Sequence, residues 1–504
     1  MSLTLTLFHA PASPFVRKVM VLLHETGQLD KVRLQAANLS PVSPDNGVNA
    51  CNPAGKIPCL RLADGQALYD SRVIVEYLDQ QHAGAPLIPR EGPQRWRRLT
   101  LAALADAIMR EVGMPAKLVK RIQVAAPIAA WRRYAALCED AERVSRLGHS
   151  LVRRVPAGVV ACITPWNYPL HQITAKAAAA LAAGCSVVLK PSEIAPLSAF
   201  LLAEAIAEAR LPDGVFNLVH GAGPDVGQAL VRHPGIDMVS FTGSTRAGRE
   251  IGAAAGAGLK RLSLELGGKS AAIVLPGADL ATAVKSTLAS GFLNSGQTCS
   301  AYTRLLVPAA DYARACDLAG QYIGAYAMGD PADPATRLGP LAGAAQRRRV
   351  QAMLEQALAG GARIVAGGPQ ACPPPARGYF VAPTVLGSVA PDAAIAQEEV
   401  FGPVLVLLPY DTPAQAIAIA NGTPYGLAAS VWGASAEEAY RAALGLRAGQ
   451  VEINGAPFNP DAPFGGFGQS GMGRENGPHG LEEFTDTISC QLPPDYPSLQ
   501  QPHA

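Results

Sequence analysis

A thiol in Asn294-Ser295-Gly296-Gln297-Thr298-Cys299-Ser300 and a carboxylate in Glu265-Leu266-Gly267-Gly268-Lys269 stand in the right order for acyl chemistry. A thiolate attacks a carbonyl carbon, and a carboxylate then activates the water that removes the acyl group. Cys299 alone would read as a small buried apolar residue. The upstream Glu265 motif is what lifts it to a candidate nucleophile.

Several strand-then-helix stretches are placed to present such groups. SVVLKPSE, GVFNLVHG, MVSFTGST, LSLELGG and KSAAIVL read as short apolar strands between Ala-rich helices, a pattern of βαβ units and parallel sheets. A second alternation, from ARIVAG through AAIAQEEVFGPVLVLLPY to GLAASVWG, predicts another α/β domain. Gly243-Ser244-Thr245 follows the strand MVSF and opens the helix TRAGREIGAAA, so small residues and free N–H groups meet at a helix start, which suits a pyrophosphate. Neither this stretch nor GAGPDVG, which holds Gly223 and Gly227, has the GxGxxG spacing. The Gly-rich tail PFGGFGQSGMGRENGPHGLEEFTDTISCQL predicts a segment that returns to pack on earlier structure or on another subunit.

The first eighty or so residues form a separate α/β pattern. LTLTLF and KIPCLRL suit strands; SPFVRKVMVLLHETG suits a helix ending at Gly27, and SRVIVEYLDQQH one opened by Ser71.

Composition narrows the classes. With 504 residues the chain is long enough for about three domains. Net charge is +2 with acids and bases intermixed, which argues against a nucleic-acid partner. The run Arg95-Trp96-Arg97-Arg98 reads as a solvated helix face or a junction. Nine scattered cysteines without a CxxC pair indicate neither a disulfide framework nor a zinc site, and no histidine pair suggests a metal. No apolar run is long enough for a membrane span and the first residues lack a secretory pattern, so the expected setting is the cytoplasm.

The N-terminal piece, about residues 1–90, resembles the thioredoxin-like domain of soluble glutathione transferases through Ser13-Pro14-Phe15, Asn52-Pro53-Ala54-Gly55-Lys56-Ile57-Pro58 and Asp70-Ser71. The resemblance implies a cis Pro58 that exposes the backbone of Ile57 to glutathione, Asp70 and Ser71 at its γ-glutamyl end, Lys56 beside them and Ser13 at the thiol. The all-helical second domain of that family is not recognisable after PQRWRRL. A folded module without transferase activity is therefore the competing reading.

From about Leu99 to Leu492 the chain resembles the NAD(P)-dependent aldehyde dehydrogenase superfamily. The ordered set that carries this is Thr164-Pro165-Trp166-Asn167-Tyr168-Pro169, Lys190-Pro191-Ser192-Glu193, Phe241-Thr242-Gly243-Ser244-Thr245, the Glu265 and Cys299 motifs, and Glu398-Glu399-Val400-Phe401-Gly402-Pro403. It implies Cys299 as nucleophile, Glu265 as the base that hydrolyses the thioester, and the Asn167 amide with the Cys299 N–H as oxyanion donors. It further implies a cofactor site of Ile163, Thr164, Trp166, Lys190, Ser192, Glu193, Gly223, Gly227, Phe241, Gly243, Ser244, Leu266, Glu399 and Phe401, with Glu193 favouring NAD over NADP. Glu475 matches a further carboxylate of less settled role, and Trp166 and Phe464 suit either a tunnel lining or the core. The partners implied are a small aldehyde, glutathione at the N-terminal module, and further copies of the chain through the strands HSLVRRVPAGVV and TDTISCQL.

The fold expected is thus α/β: a thioredoxin-like domain (1–90), a junction (91–98), a Rossmann-type cofactor domain lacking its first segment (99–265), a catalytic α/β domain (266–452), and a return to the cofactor domain with an oligomerisation strand (453–504). A bare apolar seat where that first segment packs would impair the fold or promote association. Two alternatives stay open: a catalytically impaired fusion product, and a glutathione-binding or transferase activity of the N-terminal module.

Overall fold

The computed structural model describes residues 5–10, 14–37, 45–52, 57–83, 93–138 and 144–493. Ser13 and Lys56 of the glutathione expectation lie outside the described residues. The chain divides into two compact units, Met1–Ala103 and Leu104–Ala504, and the division falls within the helix Pro93–Val112.

The first unit is a four-stranded sheet in the order Val32–Ala36, Leu5–His9, Cys59–Arg61, Ala67–Tyr69. The first pair is parallel and the others antiparallel. Alternation in Leu5–His9 and the apolar faces of the helices Pro14–Glu25 and Ser71–Leu78 meet in one core of Leu7, Val19, Leu23, Leu60, Ile74 and Leu78. Gly27 takes φ +63° just past the first helix, where a left-handed residue without Cβ strain closes it. The Ile57–Pro58 peptide is cis, as the resemblance implies.

The second unit is built on two large sheets. The six-stranded sheet runs Gly471–Met472, Arg261–Glu265, Met238–Thr242, Val159–Ile163, Ser186–Lys190, Phe216–Leu218. It is parallel except for Gly471–Met472. Its strands are wound outward from Val159–Ile163 in one direction and then, from Met238–Thr242, in the other. The crevice at such a reversal, beyond the C-terminal strand ends, is where open α/β sheets hold ligands. The helix Pro169–Ala182 packs almost wholly buried against this sheet, and its run of alanines permits that close approach.

The seven-stranded sheet runs Arg363–Gly367, Thr384–Gly387, Val404–Tyr410, Arg304–Pro308, Ala271–Val274, Ala428–Trp432, Gln450–Ile453, with one antiparallel pair at the Arg363 edge. Its central strands are buried on both faces and read as continuous apolar runs, as parallel strands must. A three-stranded antiparallel sheet joins Thr485–Gln491 to Ser150–Pro156 and Val144–Leu147 within one chain. Among the described residues, no helix is long and apolar enough to cross a membrane.

Candidate active site

Three strand ends of the six-stranded sheet converge on one region. Val159–Ile163 delivers the loop Thr164–Tyr168, Met238–Thr242 delivers Gly243, and Arg261–Glu265 ends on the carboxylate itself. Backbone bonds knit them together: the Thr164 N–H donates to the Lys190 carbonyl at 3.1 Å, and the Gly243 N–H to the Glu265 carbonyl at 3.0 Å.

The Cys299 loop approaches from the other sheet along an unusual backbone. Asn294, Ser295 and Gly296 are all left-handed, with φ of 51°, 57° and 75°. For the two non-glycine residues that conformation costs roughly 1–2 kcal/mol each, so the surroundings must hold it. They do so through buried side chains. Asn294 Nδ2 donates to the Asn167 carbonyl at 3.0 Å, Gln297 Nε2 to the Asn294 carbonyl at 3.0 Å, and Ser295 Oγ to the Gly339 carbonyl at 2.7 Å. Gln297 Oε1 accepts from the Ala342 N–H at 2.9 Å. Gly296 has no alternative, since a Cβ there would lie 2.0 Å from the Gly402 carbonyl oxygen.

Asn167 is buried, and its Nδ2 donates to the Gln297 carbonyl, two residues ahead of Cys299, at 3.0 Å. A side-chain amide has two N–H donors, so this bond fixes the amide while the second hydrogen remains for an oxyanion. Tyr168 and Thr298 share a hydrogen bond of 2.7 Å. Burial and the neighbouring Cys299 keep that phenol protonated.

The Glu265 motif and the thiol meet at two glycines. A Cβ on Gly268 would lie 2.9 Å from the Cys299 carbonyl oxygen, and one on Gly267 would lie 2.1 Å from Glu399 Oε2. The Gly268 N–H donates to Glu399 Oε1 at 3.3 Å. Burial, then the Glu399 and Glu265 carboxylates, push the Cys299 thiol up to about 12. Burial, then Glu475, hold Glu265 well above the carboxylate range, against the pull of Lys176 and Arg474. Neither Glu265 oxygen has a protein hydrogen-bond partner, and Gly465 leaves open the space beside Oε1. Glu475 is buried and pairs with the fully buried Lys176 at 2.5 Å. It is also bridged to Phe464 by backbone bonds of 2.7 and 2.8 Å. Phe464 in turn packs edge-on against Phe458, 6.4 Å between centroids.

Most of the cofactor candidates lie at or just beyond the C-terminal strand ends of the six-stranded sheet, and Glu399 and Phe401 lie just ahead of the strand Val404–Tyr410. Lys190 Nζ is buried and donates to Glu193 Oε2 at 3.0 Å, while the Glu193 side chain is about half exposed. Burial raises Glu193, but its own N–H, Lys190 and the Gly223 N–H outweigh it and the carboxyl ends below its usual range. Gly223–Gly227 form a short wide turn, with open space where a Cβ would stand at either end. Ser244 caps the helix Thr245–Ala257 by accepting from the Ala247 N–H at 3.3 Å. A Cβ on Gly243 would strike the Phe241 ring at 2.4 Å. Ile163 and Leu266 are buried, and Ser192 Oγ accepts from the Ile194 N–H at 3.2 Å. Trp166 and Phe401 meet edge to face, 5.5 Å between centroids, and Phe401 has φ +57°. Burial lifts Glu399 to about 7. The buried hydroxyls of Thr164, Thr242 and Thr245 have no protein partner. Polar groups left open at a strand-end crevice, beside glycines that keep it clear, fit a dinucleotide.

Sequence reasoning missed the residues that hold this geometry. Gln123, from the wide turn Val119–Ala125, donates to the Asn167 carbonyl at 2.9 Å, and Lys176 sits within an alanine-rich helix. Both partners are remote in sequence, so no local signal marks either residue. Of the glutathione candidates that are described, Asp70 has φ +73° immediately before the helix Ser71–Leu78, and Ser71 is buried. Among the described residues no group of three or more His, Cys, Asp or Glu could hold a metal ion.

Comparison with known proteins agrees with both halves of the chain. Residues 7–86 match the glutathione S-transferase N-terminal domain, and residues 98–489 match the aldehyde dehydrogenase family. A 3-succinoylsemialdehyde-pyridine dehydrogenase of a Pseudomonas species is 47% identical over 387 residues, 77% of this chain and 81% of that protein. The geranial dehydrogenase of Castellaniella defragrans is 45% identical over 394 residues, 77% and 82% of the two chains. A crystal structure of a mutant aldehyde dehydrogenase C from Pseudomonas syringae, complexed with NAD+ and octanal, superposes with a TM-score of 0.73 at 46% identity, covering 78% of this chain and 82% of that one. The chain belongs to the aldehyde dehydrogenase family and carries, ahead of that region, a glutathione S-transferase N-terminal domain.

Proposed function

We propose that the chain oxidises an aldehyde to the carboxylic acid with NAD as acceptor, through a covalent Cys299 intermediate. The observation that carries this is the Gly267–Gly268 step, with the Glu399 carboxylate against one glycine and the Cys299 carbonyl against the next. It supports one site in which thiol, base and cofactor-holding carboxylate lie within reach of a single carbonyl carbon.

Cys299 gives its proton up to solvent and its sulfur attacks the aldehyde carbon; the carbonyl π bond opens as the carbon–sulfur bond forms, giving a thiohemiacetal with the charge on oxygen. The developing oxyanion is received by the free N–H of the Asn167 amide and by the Cys299 backbone N–H. NAD, when bound, supplies the acceptor for the hydride that leaves the thiohemiacetal carbon. Glu265 then takes a proton from water as its oxygen attacks the thioester; the carbon–sulfur bond breaks, and Cys299 is restored as the acid departs. Burial beside Glu475 leaves Glu265 reluctant to ionise, and Lys176 offsets part of that.

In this reading Lys190 and Glu193 hold the adenosine ribose, and Ser192 shapes the turn that carries Glu193. Gly243 and Ser244 offer the helix start to the pyrophosphate, with Gly223 and Gly227 keeping the opposite wall low. Glu399 holds the second ribose, while Phe401, Trp166, Thr164, Ile163, Phe241 and Leu266 flank the ring and the crevice. A half-exposed carboxylate at Glu193 repels a 2′-phosphate, which favours NAD over NADP. The Phe458–Phe464 pair and Tyr168 beside the thiol suit an apolar aldehyde, in keeping with the geranial, octanal and pyridine-semialdehyde names of similar proteins.

The test is NADH formation by the full chain over aliphatic, terpenoid, aromatic and semialdehyde substrates, with Cys299→Ala as control. Turnover that persists in Cys299→Ala, or no turnover with any aldehyde while NAD binds, defeats the reading.

A further inference from the structure

Two hydroxyls beside the nucleophile take no part in bond-making. Tyr168 directly follows Asn167, and Thr298 directly precedes Cys299. Tyr168 is buried, and its hydroxyl lies 2.7 Å from Thr298 Oγ1. Thr298 Oγ1 also donates to the Leu293 carbonyl at 3.2 Å. A hydroxyl has one hydrogen and a carbonyl only accepts, so the Thr298 proton is committed to Leu293 and the phenol must be the donor to Thr298. The bonds therefore run in one direction, from Tyr168 to Thr298 to Leu293, the residue just ahead of the left-handed turn Asn294-Ser295-Gly296. Three other bonds tie the same two segments: Asn167 Nδ2 to the Gln297 carbonyl, and Asn294 Nδ2 and Gln123 Nε2 to the Asn167 carbonyl. They fix Asn167 and grip the Cys299 loop at positions 294 and 297. The Tyr168 bond goes one residue further, to the peptide unit that Thr298 shares with the Cys299 N–H.

We propose that Tyr168, through its hydrogen bond to Thr298, is a positioning residue that sets the spacing of the two oxyanion donors, the Asn167 amide and the Cys299 N–H, a role that rests on the donors proposed for the dehydrogenase reaction. One donor comes from each of the two segments that the bond joins. Without the phenol hydroxyl, Thr298 keeps only its bond to Leu293 within its own loop. The Thr298–Cys299 peptide is then free to tilt about the Thr298 Cα, and its N–H drifts from the point at which the Asn167 hydrogen is aimed. Two donors must lie at hydrogen-bond distance from one oxygen to share its charge. The sulfur itself loses no contact in this change, so its intrinsic reactivity is left as it was.

Two reactions of Cys299 separate donor placement from thiol reactivity. In acylation by p-nitrophenyl acetate the thiolate adds to the ester carbonyl, an oxyanion forms, and the carbon–oxygen bond breaks to release p-nitrophenolate and leave acetyl on sulfur. In alkylation by iodoacetamide the thiolate displaces iodide and no oxyanion arises. Both rates are measured on the full chain, with Cys299→Ala to subtract the other thiols, alongside NADH formation. Tyr168→Phe keeps the ring and removes the hydroxyl; it should slow acylation by about tenfold while alkylation stays within about twofold of the wild type. Thr298→Ser should match the wild type, and Thr298→Val should lose at least as much acylation as Tyr168→Phe. In an Asn167→Ala background, Tyr168→Phe should cost no more than about twofold, because one of the two donors is already gone. Acylation unchanged in Tyr168→Phe, a parallel fall in both reactions, or a loss that persists in full without Asn167 overturns the positioning role. So does a wild type acylated no faster than Cys299→Ala. If Tyr168→Phe does not fold, Thr298→Val against Thr298→Ser reads the same bond from its other end. A wild type that follows the expected pattern yet forms no NADH with any aldehyde upholds the positioning role and defeats the dehydrogenase reading.

Discussion

The loop that carries Cys299 and the crevice that lines the cofactor candidates are built to opposite standards. The loop is over-determined: consecutive left-handed residues, a glycine pressed on the Gly402 carbonyl, and side-chain bonds from Asn167, Asn294, Ser295 and Gln297 leave it one conformation. The crevice is open-sided, with Glu193 half exposed, Gly223 and Gly227 facing free space, and hydroxyls without protein partners. Reaction geometry tolerates little displacement, and rigid support around a nucleophile is what keeps its attack angle. A cofactor that must enter and leave is better served by groups that complete their bonding only when it arrives.

The contrast can be broken most severely at its rigid end. Glu475→Ala leaves Lys176 charged and unpaired in a dry interior, which costs about 3–5 kcal/mol. The double change Lys176→Met with Glu475→Leu should recover most of that stability in denaturant titrations without recovering turnover. If the single variant unfolds at the wild-type midpoint, the pair is not part of the rigid half. Asn167→Ala comes next, lowering kcat by roughly 100- to 1000-fold with NAD affinity unchanged in calorimetry; a comparable loss in NAD affinity would mean that the two regions are not separable.

A smaller effect is expected with pH. Cys299 and Glu265 are both raised, so each gains its reactive, deprotonated form as pH rises, and kcat/KM should climb by up to about tenfold per pH unit from neutrality upward. A profile that falls across that window would refute the assigned roles. The smallest effect belongs to the open half. Glu193→Gln removes the charge facing a 2′-phosphate and should improve NADP relative to NAD by about tenfold, ~1.4 kcal/mol, in steady-state comparison; an unchanged ratio would place the discrimination elsewhere.

The same contrast explains what the sequence revealed. Strand-end residues of the crevice sit in short motifs where a strand gives way to a glycine or a cap, so Lys190-Pro191-Ser192-Glu193 and Phe241-Thr242-Gly243-Ser244-Thr245 could be read locally. The supports behind the loop and behind Glu265 could not. Lys176 in PLHQITAKAAAALA reads as a solvent-facing lysine on an apolar helix, and only a carboxylate from the far end of the chain makes its burial tolerable. Gln123 and Gln297 are polar residues whose partners are main-chain carbonyls and an N–H that no pattern of spacing points to. In the N-terminal unit the strand Val32–Ala36 escaped a hydrophobic reading because only Val32 of its five residues is buried.

The Lys176–Glu475 pair also sets a timetable for the ribosome. Its partners are 299 residues apart, and at roughly 5–20 residues per second the second emerges about 15–60 s after the first. Through that interval an alanine-rich helix with a cation on its inner face waits without a counter-charge, and the closing strand Thr485–Gln491 is later still. The nascent dehydrogenase unit must therefore be kept from collapsing, or from meeting its neighbours on the polysome, until Glu475 and the strand Thr485–Gln491 have been made.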